Sequence, residues 1–206
     1  STQISSLTTT QLVAMTTTQI AAMQTADVAA MGTTQVASLT TTQLVSVTTA
    51  QIAGLTTAQV AGMGTTQVSS LTSSQLAAMT TTQIVAMETS DLAVVTTSQL
   101  AGLTTAQMAA MTTTQVVGLG TTQVSALLTS QLAAMTTTQI VAMETSDLAA
   151  VTSSKITGLT TAQMAALTTT QVVGLGTSQV ASLTTSQLAA MGTTQIVAME
   201  TSDLAV

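Results

Sequence analysis

The residues best suited to chemistry in this chain are three carboxylate pairs, Glu88/Asp91, Glu144/Asp147 and Glu200/Asp203, each pair three positions apart. Two carboxylates at that spacing could work as general acid and base, or hold a hard cation such as Ca²⁺. The same pattern has a plainer reading. The Asp then sits in the first turn of a helix, where the dipole favours it, and the Glu flanks a surface cap. Catalysis would need more than this: an activated nucleophile, a histidine or a metal cage. The chain has no His and no Cys, so no catalytic set assembles and no enzyme is expected. A calcium site needs about six to eight oxygens, so each pair would have to borrow Thr hydroxyls, backbone carbonyls or a neighbouring coil.

The remaining polar residues point to bland roles or to surface recognition. Runs such as Thr8-Thr9-Thr10 and Thr112-Thr113-Thr114 suit helix caps and an uncharged, soluble outer wall. Regular Thr arrays on a rigid surface could also order water against ice, or bind or carry glycans. The recurring Met residues read as adaptable core filling in a chain without aromatics. Lys155 is the one cation and is expected to reach a nearby carboxylate. No cofactor is expected.

These residues are held by a repeat. With units counted from multiples of eight (Thr8, Thr16, Gln24, Gly32), the chain reads x-T-[TSA]-Q-[LIVM]-[AVS]-[AGS]-[LMV] without a slip in register. Position four is Gln except at Asp27, Asp91, Asp147, Lys155 and Asp203. Positions five and eight are always aliphatic or Met, as in Leu12, Met15, Ile20 and Met23. Internal periodicity of this kind governs the fold more than any local motif does. A longer period is superimposed: Glu88, Glu144 and Glu200 are 56 residues apart, as are Gly64, Gly120 and Gly176. If seven octads fit a whole number of superhelical turns, the three glutamates would stand in one column. Duplication of a 56-residue block explains the period equally well.

An octad limits the possible folds. On one long α-helix each apolar pair would be rotated by about 80° from the last, leaving no continuous buried stripe. On a plain strand, positions five and eight would face opposite ways. One short helix per octad fits, because residues three apart share a helical face. The hydroxyl at position two is the more general N-cap, since position one is sometimes Gly, Glu or Leu. If Thr at position one caps instead, Thr-x-x-Gln forms a capping box and the helix starts a residue earlier. Gly at position one (Gly32, Gly64, Gly120, Gly176, Gly192) suits the left-handed residue after a helix end. Burial of two aliphatic side chains falls well short of the entropy lost in ordering eight residues. Octads must therefore stack, with small position-seven residues letting backbones approach. The expected fold is all-α, a solenoid or superhelical tube of very short helices, aliphatics inward and Thr outward. A β-solenoid is the alternative, supported by abundant Thr, Val and Ile.

Composition narrows the function. The net charge is −6 with a single Lys, and there is no aromatic residue, so phosphate neutralisation and base stacking are both unsupported and no nucleic-acid partner is expected. Thr and Gln interrupt every apolar run, so no membrane span is expected. Hydrophobic residues make up 46% of the chain, which sets it apart from charged, disordered sequences. Residues 1–206 read as one continuous octapeptide array. It starts and stops within repeat units, as expected of a window onto a longer chain.

Leu39-Thr40-Thr41-Thr42-Gln43-Leu44-Val45-Ser46-Val47 resembles the helix opening of TAL-effector repeats. That likeness covers one octad, lacks the proline and DNA-reading residues, and implies shared helix-start chemistry only. The whole array is similar to Leu-Thr-Thr-x-Gln-Ile-x-Ala-Leu tracts of giant repetitive bacterial secreted or surface proteins of adhesin-like character. The resemblance implies an extracellular or cell-surface location and a structural role in a fibre, stalk, sheath or adhesin. Its implied partners are neighbouring repeats of the same chain or other copies of it. A Thr surface binding ice or glycans is the alternative function.

Overall fold

A computed structural model describes residues 2–199 of the chain. Among those residues there are 25 helices, from Thr2–Ser5 to Thr193–Ala198, and no strand. Each helix is four to six residues long, and from Thr9–Val13 onward each begins at position two of its octad. The fold is the expected all-α solenoid of very short helices, and the β-solenoid is excluded for the described residues.

Position one is the N-cap, and where it is Thr its hydroxyl usually supplies the cap. Thr8 is extended at φ −72°, ψ 158°, and its hydroxyl accepts from the Gln11 backbone N–H at 3.2 Å. Gln11 Oε1 in turn accepts from the Thr8 N–H at 2.9 Å, completing a capping box. The position-two cap is therefore corrected to position one, and the box, the less general of the two arrangements by residue type, prevails. Its deciding partner is the Gln three residues on, which reaches position one and not position two.

The glycines at position one also differ from expectation. Gly32 has φ −70° and ψ 158°, the geometry of the Thr caps, and no described residue has positive φ. Two successive extended residues, at positions eight and one, make the link between helices; Leu39 (φ −58°, ψ 132°) followed by Thr40 (φ −68°, ψ 157°) is an example. Such a link needs no left-handed residue, so glycine there is permitted and not required.

The chain forms two compact units, Ser1–Leu103 and Thr104–Val206. In the first, each helix packs on the third one before and the third one after: Thr41–Ser46 lies against Thr17–Ala21 and Thr65–Ser70. In the second, Thr161–Ala166 lies against Thr137–Ala142 and Thr185–Ala190 in the same way. Positions five and eight fill both interiors, as with Leu44, Val47, Ile52 and Leu55 in one, and Leu132, Met135, Ile140 and Met143 in the other. Met15 and Met23, in the opening turn, are only half-buried, whereas Met31 is buried, because burial at position eight is completed by stacking. The valines at position six, such as Val13, Val45, Val117 and Val173, lie outside.

Position seven is where turns touch most closely. A Cβ on Gly54 would lie 2.2 Å from Thr25 Cγ2, and one on Gly174 would lie 1.9 Å from Thr145 Cγ2. Small residues there do let adjacent backbones approach. In contrast, a Cβ on Gly64, at position one, meets nothing within 4 Å.

Candidate functional site

The group that organises every turn is the Gln at position four. Sequence reasoning assigned it to the capping box and missed its larger role. Gln43 is buried, and its Oε1 accepts from the Thr40 N–H at 3.0 Å. Its Nε2 donates to Leu12 O at 3.0 Å, Val13 O at 3.1 Å and Met15 O at 2.8 Å. In the second unit Gln171 repeats the pattern, with Thr168 N–H at 3.0 Å and Nε2 to Ile140 O, Val141 O and Met143 O at 3.0, 3.1 and 3.0 Å.

This resolves the main difficulty of a very short helix. Nearly all of its backbone groups belong to one terminus or the other and lack an intrahelical partner. One amide side chain serves a free N–H at its own helix start and the free carbonyls at the end of a helix one turn away. A primary amide is the smallest side chain carrying acceptor and donors at that reach. The near-constancy of Gln at position four was the signal for this. Gln11 and Gln19, near the start of the described residues, are exposed and make only the cap there.

The bond pattern also sets the pitch within each unit. From Gln Nε2 to the position-eight carbonyl is 28 residues, or three and a half octads. Helices therefore pack on their third neighbours while Gln side chains reach into the fourth octad back.

The acidic pairs fall within this scheme. Asp91 and Asp147 take the place of Gln and are buried at 2% and 3% exposure, while Glu88 and Glu144 are exposed N-caps. Each Asp lies in the first turn of its helix, but neither lies on the surface. The two carboxylates of a pair thus part, one inward and one outward, which suits neither paired acid–base work nor bidentate cation binding. Asp147 Oδ1 accepts from Thr121 Oγ1 at 2.9 Å. Asp91 Oδ2 is buried without a hydrogen-bond partner.

Burial raises the Asp91 carboxyl above the ordinary carboxylate range, and the Glu88 charge adds to it against the pull of the Glu88 backbone N–H. Burial raises Asp147 as well; the Thr121 hydroxyl opposes this, and the Glu144 charge adds to it. Glu200 and Asp203 lie outside the described residues. Glu88 belongs to the first unit and Glu144 to the second, so each pair stands here by itself.

A calcium ion does not fit these groups. Among the described residues no three Asp, Glu, His or Cys side chains gather. One buried carboxylate with a few carbonyls falls short of the oxygens such an ion requires. Lys155 is corrected too: its Nζ donates to Ser125 O at 2.6 Å, one of the carbonyl bonds a Gln makes at this position, in place of the expected carboxylate partner. An open groove of about 440 Å³, lined by Thr41, Thr42, Val45 and Ser70, contains no titratable group.

The ALTTAQ repeat matches residues 20–57, 48–81, 84–121, 140–177 and 173–201, well over half of the chain. The chain belongs to the ALTTAQ repeat family. No curated protein and no solved structure matches it. As an ALTTAQ repeat protein it is a tandem structural array whose repeats pack on one another within the chain. Among the described residues no helix is long and apolar enough to cross a membrane.

Proposed function

We propose that this chain is a structural segment of an extracellular bacterial fibre, stalk, sheath or adhesin, and that it carries out no catalysis. The observation behind this is the Gln ladder. Each turn meets the next through the same amide-to-carbonyl bonds, as Gln43, Gln75 and Gln163 illustrate, so a turn can be added without any new chemistry. Side chains with reactive potential are few, and those that are buried occupy Gln positions. The outer wall of Thr, Ser and Ala is polar but almost uncharged, which suits a long spacer exposed to varying salt, because screening has little to act on. Electron micrographs of the native material test the proposal. Uniform fibres or stalks labelled by an antibody against this array are expected; isolated short particles would overturn it.

A second reading rests on the exposed Thr residues at positions one and three, for example Thr40, Thr42, Thr80 and Thr82. On this reading the Thr wall binds ice or glycans. Thermal hysteresis and glycan-array binding measure it directly, and silence in both removes it.

A further inference from the structure

Where a buried Gln stands at position four, the position-eight carbonyl one turn back receives an N–H, as with Met31 O from Gln59 at 2.7 Å, Val47 O from Gln75 at 2.7 Å and Leu55 O from Gln83 at 2.7 Å. The equivalent carbonyl for Asp91 is Met63 O, and among the described residues no side chain donates to it. Asp91 is 2% exposed, and its Oδ2 is the buried side-chain oxygen without a partner. The Glu88 backbone N–H favours one face of the carboxylate, as the N-cap N–H favours Gln Oε1 elsewhere. Asp91 stands at the octad position that Gln fills elsewhere, and its Oδ2 is the oxygen buried on that side of the turn without a partner. An ionised carboxylate has only acceptors to offer a carbonyl that needs a donor. A protonated one has an O–H.

We propose that Asp91 is a proton-binding position of the array: in its neutral form it donates an O–H toward Met63 O and closes the turn, and on ionisation that closure is lost. The proton comes from solvent and is carried on Oδ2. Asp147 is a weaker version of the same device, because the Thr121 hydroxyl already satisfies one of its oxygens.

The titratable groups that face Asp91 are few. The helix packed against it, Thr65–Ser70, has none, and Glu88 on its own octad is the charged neighbour. Around Asp147, the packed helices Thr121–Ala126 and Thr169–Val173 also have none, and Glu144 is the neighbour. The sign follows from the direction of the shift. A carboxyl raised on folding adds stability that is fully present below its unfolded value and is lost as pH rises through the folded one. The turn is therefore tightest at acid pH, below the ordinary carboxylate value, and loosens as pH rises.

Amide hydrogen exchange on the full chain, corrected for the intrinsic pH dependence, tests this. Protection at Met63, Leu92 and Val95 should rise severalfold from slightly alkaline pH to a pH below the ordinary carboxylate value. In Asp91→Gln, which restores the amide donors, protection should be high at both. A response that persists in Asp91→Gln, or protection that falls on acidification, overturns the proposal. So does millimolar Ca²⁺ at alkaline pH raising wild-type protection while leaving Asp91→Gln unchanged, since that marks a cation site. If Asp91→Gln fails to fold, carboxyl ¹³C titration of the wild-type chain decides: Asp91 must titrate above the ordinary aspartate value, and a midpoint at or below that value overturns it.

Discussion

Replacing Gln163 by Leu isolates what the amide ladder contributes. Gln163 is 1% exposed; its Oε1 accepts from the Thr160 N–H at 2.8 Å, and its Nε2 donates to Leu132 O at 2.8 Å and Met135 O at 2.7 Å. Leucine is close in size and apolar, so cavity formation contributes little to the outcome. Leu132 O keeps a partner, because it also accepts the Met135 N–H at 3.2 Å. Met135 O is left without its side-chain donor in a buried residue, and the Thr160 N–H loses its acceptor at an exposed cap. A buried carbonyl left unpaired costs about 1–3 kcal/mol and a damaged cap about 1 kcal/mol. The expected loss is therefore about 2–4 kcal/mol. The same change at Gln19, which is exposed and makes only the cap, should cost about 1 kcal/mol or less. Because an array is stabilised mainly by nearest neighbours, the damage stays local. Native-state amide exchange at Leu132–Met135 and Thr160–Gln163 reads it. Equal effects at Gln163 and Gln19, or an unchanged exchange pattern at Met135, would refute the ladder as the source of turn-to-turn stability.

Three further outcomes are expected. Leu132→Asp or Met135→Asp should open that coil, since an unpaired buried carboxylate costs several kcal/mol, while Thr136→Asp and Thr138→Asp on the exposed side should be mild; urea unfolding compares them. Gly64→Thr should stabilise by up to about 1 kcal/mol, adding a cap hydroxyl where a Cβ meets nothing, and Gly174→Thr should destabilise by about 1–3 kcal/mol by colliding with Thr145. Thermal melts of the two glycine variants should move in opposite directions. The far-UV circular dichroism of the chain should show helix minima, and a single strand-type minimum would contradict the fold.

Local rules were legible in the residues themselves. Aliphatic positions five and eight, three apart, demand one helical face, and Leu12, Ile52 and Leu132 are buried accordingly. A helix too short to stand alone must stack, and that alone implied a solenoid. Small position-seven residues marked the closest approach between turns, as Gly54 against Thr25 confirms.

What the octad could not disclose depends on contacts about 28 residues away. The acidic pairs looked like surface features because charge is normally solvated; Asp91 is buried because it inherits the seat of a Gln, and its neighbours leave that seat no way to the surface. Lys155, likewise, answers a carbonyl of a preceding turn that no local pattern could have pointed to. Periodicity in sequence specifies each helix and its inward face, because those depend on residues within one octad. The number of octads per turn is the sum of many small rotations at the extended links, and only the closed turn, with donors meeting carbonyls, determines it.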